Sequence, residues 1–310
     1  MKIFLTGSSG FLGSHLVPKL REQHQVHCMQ SDLLDFASVI TEVQKVRPDV
    51  VIHLAARTEV AWSFNEPASF SSVNYAGSVN LIEAALSVDN FEHFIFASTM
   101  EVYGWQDISA KVQANAVGYS AEAFDERTPC HPNAPYAVAK YAVEHYLDYA
   151  ARVNGLRYTA LRQTNAYGRV DNDFFVTEQI ISQIVDVQAG RKDSVKLGDP
   201  RPLRNFIYVD DVVDAYLAVT NNLDKLTGRN IFCLGPNNPI TIENWYKLIA
   251  DKMQYTGAVE WYTKPERPGE VFYLNSTNQR ITQLLQWQPQ VSYNQGLEQT
   301  INNWRSKCTS

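Results

Sequence analysis

The stretch Lys2-Ile3-Phe4-Leu5-Thr6-Gly7-Ser8-Ser9-Gly10-Phe11-Leu12-Gly13 decides the fold. A short apolar run over 3–6 meets a glycine turn, and the turn opens into a helical pattern over 11–22. Gly7 permits a tight turn, Gly10 lets the backbone approach a pyrophosphate, and Gly13 lets helix and strand pack closely. Amide groups at the helix N-terminus attract phosphate charge. Three glycines can also make a plain turn; their place between strand and helix points to a dinucleotide. Ser9, Phe11 and Leu12 share that turn and are candidate contacts. Pro18 falls inside the helical pattern and is expected to bend it.

Outward from this unit, strand-like runs recur at 25–29, 50–54, 93–98 and 157–161. Helical patterns lie between them at 36–46, 68–86 and 136–153, the second introduced by Pro67. Strands alternating with helices predict right-handed βαβ units, hence a doubly wound parallel sheet with helices on both faces. The second half is more mixed, with helical patterns at 177–189, 212–220, 242–253 and 295–304. The expected division is a dinucleotide-binding domain over 1–165, to which some later segments return. A smaller mixed α/β lobe over 166–310 would close a cleft at the sheet's carboxyl edge.

Composition narrows the partners. The 310 residues are 45% apolar and 19% charged, with a net charge of −6. No block of five like charges occurs, so no nucleic acid partner is expected. An anionic substrate would have to be held by a few local arginines. No run approaches the ~18 apolar residues of a membrane span, and the run at 3–6 is too short for a signal-peptide core. Cys28, Cys130, Cys233 and Cys308 form no CxxC pair and are read as reduced thiols of a cytoplasmic protein. The seven histidines do not cluster with them, so no metal site is expected.

Three positions carry candidate chemistry. Tyr136 and Lys140 are four apart at the start of a helical run and share one face. An ammonium beside a phenol lowers its pKa and suits it to acid–base work; Lys140 can also hold a nicotinamide ribose. Thr99 stands at the carboxyl end of the run 93–98, where its hydroxyl could bond a sugar oxygen that Tyr136 protonates or deprotonates. Ala97 at the same strand end is a candidate cofactor contact. Asp32 lies 19 residues past Gly13, where an acid would bind a ribose 2′-hydroxyl. Asp32-Leu33 could instead follow a third strand and hold the adenine, or Asp32 could cap a turn. NAD versus NADP stays open.

Together Gly7/Gly10/Gly13, Ser98-Thr99-Met100-Glu101-Val102-Tyr103-Gly104 and Pro135-Tyr136-Ala137-Val138-Ala139-Lys140 resemble the extended short-chain dehydrogenase/reductase family, in particular its nucleotide-sugar epimerases and dehydratases. The resemblance implies a Rossmann-type fold and a cofactor-contacting loop, His53-Leu54-Ala55-Ala56, after a fourth strand. Asn74 matches an asparagine of the following helix, and Glu144 an acid beyond the lysine. Arg162-Gln163-Thr164-Asn165-Ala166-Tyr167-Gly168 looks like the family's substrate loop, where Asn165 would touch a diphosphate. Arg204 and Arg267 match its substrate-side arginines, which suits a bidentate grip on pyrophosphate; surface salt bridges are the other reading. The implied partner is a nucleotide-diphosphate sugar, and a homodimer pairing the helices at 68–86 and 136–153 is implied by the same analogy.

By that resemblance Tyr136 and Thr99 oxidise a sugar C4 hydroxyl. Glu101, two residues past Thr99, would face the same way in an extended segment and could remove the C5 proton. The pattern Thr-x-Glu is similar to 4,6-dehydratases, although Met100 stands where many carry Asp, and UDP-glucuronate decarboxylases share it. The expected activity is a redox-neutral 4,6-dehydratase or epimerase. A 4-keto-sugar reductase using NADPH is the alternative, suggested by the short connection between the second and third strands. A dinucleotide-binding sensor without chemistry is the reading from another class. Residues 105–123 look inserted and could form a lid or part of the sugar pocket.

Overall fold

A computed structural model describes residues 1–104, 123–170, 172–265 and 268–308. Six strands form one parallel sheet: β1 (Lys2–Thr6), β2 (Gln25–Cys28), β3 (Val50–His53), β4 (His93–Thr99), β5 (Tyr158–Gln163) and β10 (Arg229–Leu234). Their spatial order is β2-β1-β3-β4-β5-β10. The chain reverses direction across β1 and β3, so the crevice between their carboxyl ends is the switch point where ligands bind in such sheets.

Alternation explains why these runs are strands with both faces covered. Ile3, Leu5, Ile52 and Ile95 pack on one face with α1 (Phe11–Arg21) and α8 (Val209–Thr220). Phe4, Val51, Phe94 and Phe96 pack on the other. They meet Val39 and Val43 of α2 (Phe36–Val46), Leu81 of α5 (Gly77–Leu86) and Val143 of α6 (Pro135–Asn154). Both sets are apolar, as a doubly covered parallel sheet requires.

Local chemistry sets the helix limits. Asp35 caps α2 by accepting the Ser38 amide, and Arg47 ends it in the left-handed region at φ 49°. Pro135 stands at the start of α6 and Gly155, at φ 74°, ends it. The expected helix over 68–86 is built from α4 (Pro67–Ser71), a π-helical turn (Ser72–Ala76) and α5. A short α3 (Val60–Ser63) precedes them. The helix α1 runs through Pro18.

The second half builds the lobe and also returns to the sheet. Its sixth strand, β10, pairs in parallel with β5. The lobe holds three two-stranded pairs. These are β6 (Asn165–Tyr167) with β9 (Phe206–Tyr208), β7 (Val195–Lys196) with β12 (Val259–Glu260), and β8 (Leu203–Arg204) with β11 (Ile240–Thr241). Its helices are α7 (Val176–Gln188), α9 (Ile242–Lys252), α10 (Gln279–Leu285) and α11 (Tyr293–Cys308). No helix among the described residues is long and apolar enough to cross a membrane. Cys28, Cys130 and Cys233 are free thiols.

Two imidazoles are buried within the sheet. His53 bonds Thr6 Oγ1 at 2.7 Å and Ser78 Oγ at 2.8 Å; His93 bonds Thr159 Oγ1 at 2.8 Å. Burial, helped by the charge of Lys140 for His53 and of Arg157 for His93, pushes both down to about 3 from 6.5. The unfolded chain therefore binds protons between pH 3 and 6.5 that the fold refuses, and stability falls as pH falls through that window. Each group contributes about 1.4 kcal/mol per pH unit below its unfolded pKa. Urea midpoints at pH 7, 6 and 5 should decline accordingly, and His93→Asn should remove about half of the slope.

Candidate active site

The turn after β1 is closely packed. Gly7 has φ +73°, and a Cβ there would come within 2.7 Å of the Ala55 nitrogen. A Cβ on Gly13 would lie 2.1 Å from the Gly7 carbonyl oxygen, so no side chain fits where helix crosses turn. Gly10 stands at the N-cap of α1 with no side-chain cap, and the first turn has no acidic residue. An uncapped helix start behind a cradle of glycines fits a pyrophosphate. Ser9 and Gly10 are exposed at the mouth, with Phe11 and Leu12 half-buried beside them.

The loop after β3 forms the opposite lip. The Ala55 amide donates to Thr6 Oγ1 at 3.1 Å, tying Leu54-Ala55-Ala56 to the end of β1. Buried Asn74 accepts the Arg57 amide at 2.8 Å and donates to the Arg57 carbonyl at 2.9 Å. Asn74 thus positions this loop with its own amide. Asp32, exposed, and Leu33, buried, follow β2. Only α2 separates β2 from β3, as the runs at 25–29, 36–46 and 50–54 predict, so Asp32-Leu33 follow the second strand and His53–Ala56 the third. The placement of Asp32-Leu33 after a third strand and of His53–Ala56 after a fourth is corrected accordingly.

The candidate catalytic groups converge at the end of β4 and the start of α6. Thr99 ends β4 and accepts the Glu101 amide at 3.2 Å. Tyr136 is the second residue of α6, and its phenol is within hydrogen-bond reach of the Thr99 hydroxyl. Lys140, one turn on, donates to the Ala97 carbonyl at 2.8 Å and sits 4.7 Å from the Phe96 ring centre. Burial lowers Lys140 to about 7 from 10.5. Burial first, and the nearby Glu101 carboxylate second, push the Tyr136 phenol up; Thr99 and Arg169 oppose them. The expected lowering of Tyr136 by its lysine is therefore not borne out. A dry site disfavours phenolate, and the same dryness strips Lys140 of much of its charge near pH 7.

Thr99, Glu101 and Tyr136 together line a cleft of about 130 Å³. Asn165, Arg169, Phe175 and Glu178 line the same cleft. A family model described as the NAD dependent epimerase/dehydratase family matches residues 3–235. The chain belongs to that family. GDP-6-deoxy-D-mannose reductase of Pseudomonas aeruginosa is 28% identical over 99% of this chain and 98% of its own length. dTDP-glucose 4,6-dehydratase of Haemophilus influenzae is 27% identical over 97% of each. A solved structure, RMD from Pseudomonas aeruginosa complexed with NADPH, superposes with a TM-score of 0.84 at 27% identity, covering 99% of both chains. The expected fold, family and NAD or NADP cofactor are borne out at this level.

Several groups around this cleft were not legible from motifs. The Arg169 guanidinium lies 4.0 Å from the Phe11 ring centre and 3.9 Å from that of Phe175, so it joins the cofactor turn to the lobe. Buried Glu178 accepts the amides of Gly168 and Arg169, both at 3.0 Å, and burial pushes its carboxyl up. Glu144, matched only by resemblance, forms a buried pair with Arg162 at 2.6 Å. Arg204 is also buried and paired, with Glu270 at 2.6 Å. Its reading as a surface salt bridge fails on burial, and its guanidinium is already engaged. Arg267 and residues 105–122 lie outside the described residues.

Proposed function

We propose that this protein modifies a nucleotide-diphosphate sugar through a 4-keto intermediate and returns its cofactor unchanged, as a 4,6-dehydratase or epimerase. The observation that supports the reading is one cleft lined by Thr99, Glu101, Tyr136 and Arg169, with the Arg169 guanidinium also stacked on Phe11 of the glycine turn. Bound cofactor supplies a hydride acceptor for the first step and the same hydride for the last. Thr99 orients the C4 hydroxyl and Tyr136, once deprotonated, takes its proton as the C4 hydride leaves. The new ketone acidifies the adjacent C–H bonds. Glu101 removes the C5 proton and passes it to the departing C6 hydroxyl, which leaves as water; C6 would then take the hydride back and C5 a proton from solvent. Lys140 holds the cofactor ribose, and Gly7, Gly10 and Gly13 hold the pyrophosphate. Asn165 and Arg169, which line the cleft, would face the substrate diphosphate, while Arg204 is held by Glu270.

The test is incubation of UDP-, GDP-, CDP- and dTDP-hexoses in D₂O with catalytic NAD or NADP and no reductant. Mass spectrometry should find a product lighter by one water that carries solvent deuterium. Glu101→Gln should abolish both changes, and undiminished deuterium uptake would remove Glu101 as the base. A changed sugar of equal mass would select epimerisation.

A second reading, reduction of a 4-keto sugar, is favoured by the full-length similarity to a GDP-6-deoxy-D-mannose reductase and by the short β2–β3 connection. It requires stoichiometric reduced cofactor and leaves the hexose panel untouched. Val138, Tyr149 and Val153, between 47% and 63% exposed along one side of α6, support pairing with a second copy there.

A further inference from the structure

Gln163, at the end of β5, is the register partner of Thr99 at the end of β4. Partners on neighbouring strands project to the same face about 5 Å apart, and both residues line the cleft with Tyr136. On its other side Gln163 pairs with Leu234 of β10, a buried residue whose side chain offers no hydrogen bond. The preceding residue, Arg162, projects to the opposite face and is committed to Glu144. Gln163 Oε1 is buried and has no hydrogen-bond partner among the described residues. A buried oxygen left without a donor costs free energy, so an unpaired one beside a cleft marks a place where a ligand supplies the donor.

The order of the strands places this amide relative to the reacting carbon. Glu101 shares a small second cavity with Val60 and Phe64, which follow β3. Thr99 ends β4 and Gln163 ends β5. Because the sheet runs β3-β4-β5, Glu101 and Gln163 flank Thr99 from opposite sides. A pyranose with its C4 oxygen on Thr99 and its C5 toward Glu101 therefore turns C3 toward Gln163. The carboxamide carries an acceptor in Oε1 and a donor in Nε2, and a hydroxyl answers both.

We propose that Gln163 is a specificity-determining residue that binds the C3 hydroxyl of the hexose. The inference rests on the reading that Thr99 and Tyr136 act at C4 with C5 at Glu101, and it adds recognition of the ring on the far side of C4.

The test compares the UDP-, GDP-, CDP- and dTDP-hexoses with the same nucleotides carrying the 3-deoxyhexose, in the unaltered protein and in Gln163→Met. That substitution keeps the length of the side chain and removes its hydrogen bonds. The unaltered protein should favour the hexose over its 3-deoxy counterpart at least about tenfold in kcat/KM. In Gln163→Met the preference should shrink to within about threefold, through loss on the hexose alone. NADH affinity, followed by nicotinamide fluorescence, should be unchanged. No preference in the unaltered protein, an undiminished one in the variant, or an equal loss on both substrates would overturn the inference alone. So would a parallel loss of NADH affinity, which would assign the amide to the nicotinamide carboxamide. Turnover of no hexose by the unaltered protein would overturn it together with the proposed function.

Discussion

Tyr136→Phe is expected to lower turnover by about 10²–10⁴-fold while leaving NADH affinity within a few-fold of the unaltered protein. The substitution removes one oxygen from a ring that is only 8% exposed, so its packing survives. What is lost is the proton acceptor beside Thr99. The phenol is pushed up by burial, so it accepts that proton only after giving up its own. Product formation on the nucleotide-hexose panel gives the rate, and cofactor fluorescence gives the affinity. Unchanged turnover would remove Tyr136 as the acid–base group. A protein that only senses the dinucleotide would have no turnover to lose, so the unaltered protein's activity separates that reading as well.

The first half of this fold was legible because each signal was local. Alternating Ile3/Phe4/Leu5 and Phe94/Ile95/Phe96 specify strands covered on both sides, and Pro67, Pro135 and Gly155 mark helix ends by backbone chemistry. Thr99, Tyr136 and Lys140 were legible for the same reason, since strand end and helix start fix where their side chains project. The lobe was harder because β7, β8, β11 and β12 are two residues each, too short for any period to register. The return of the chain to the sheet at Arg229–Leu234 has no local mark. Arg169 and Glu178 act through partners distant in sequence or on backbone amides, which no motif records. The Tyr136 pKa was misjudged because spacing gives the lysine's proximity and says nothing of the water removed from both groups.

Behind the reactive wall, Arg162→Met is expected to cost about 3–5 kcal/mol of folding stability, among the largest effects a single substitution can have here. Arg162 and Glu144 are 3% and 4% exposed. Their pairing is bidentate, Nε to Oε1 at 3.1 Å and Nη2 to Oε2 at 2.6 Å. Arg162 also donates to the Tyr103 hydroxyl at 3.0 Å, and the Ser98 hydroxyl donates to Glu144. One network therefore ties β4, β5 and α6 together one turn away from Lys140. Removing the guanidinium leaves a carboxylate buried without its counter-charge, and that desolvation sets the size of the loss. Replacing both partners, Glu144→Leu with Arg162→Met, removes the orphaned charge as well and should recover much of the stability, as measured by urea unfolding at pH 7. Recovery of stability without recovery of turnover would show that the pair is kept for the placement of Lys140 and Tyr136. A loss below about 1 kcal/mol for Arg162→Met, the range of an exposed pair, would mean that water reaches this network.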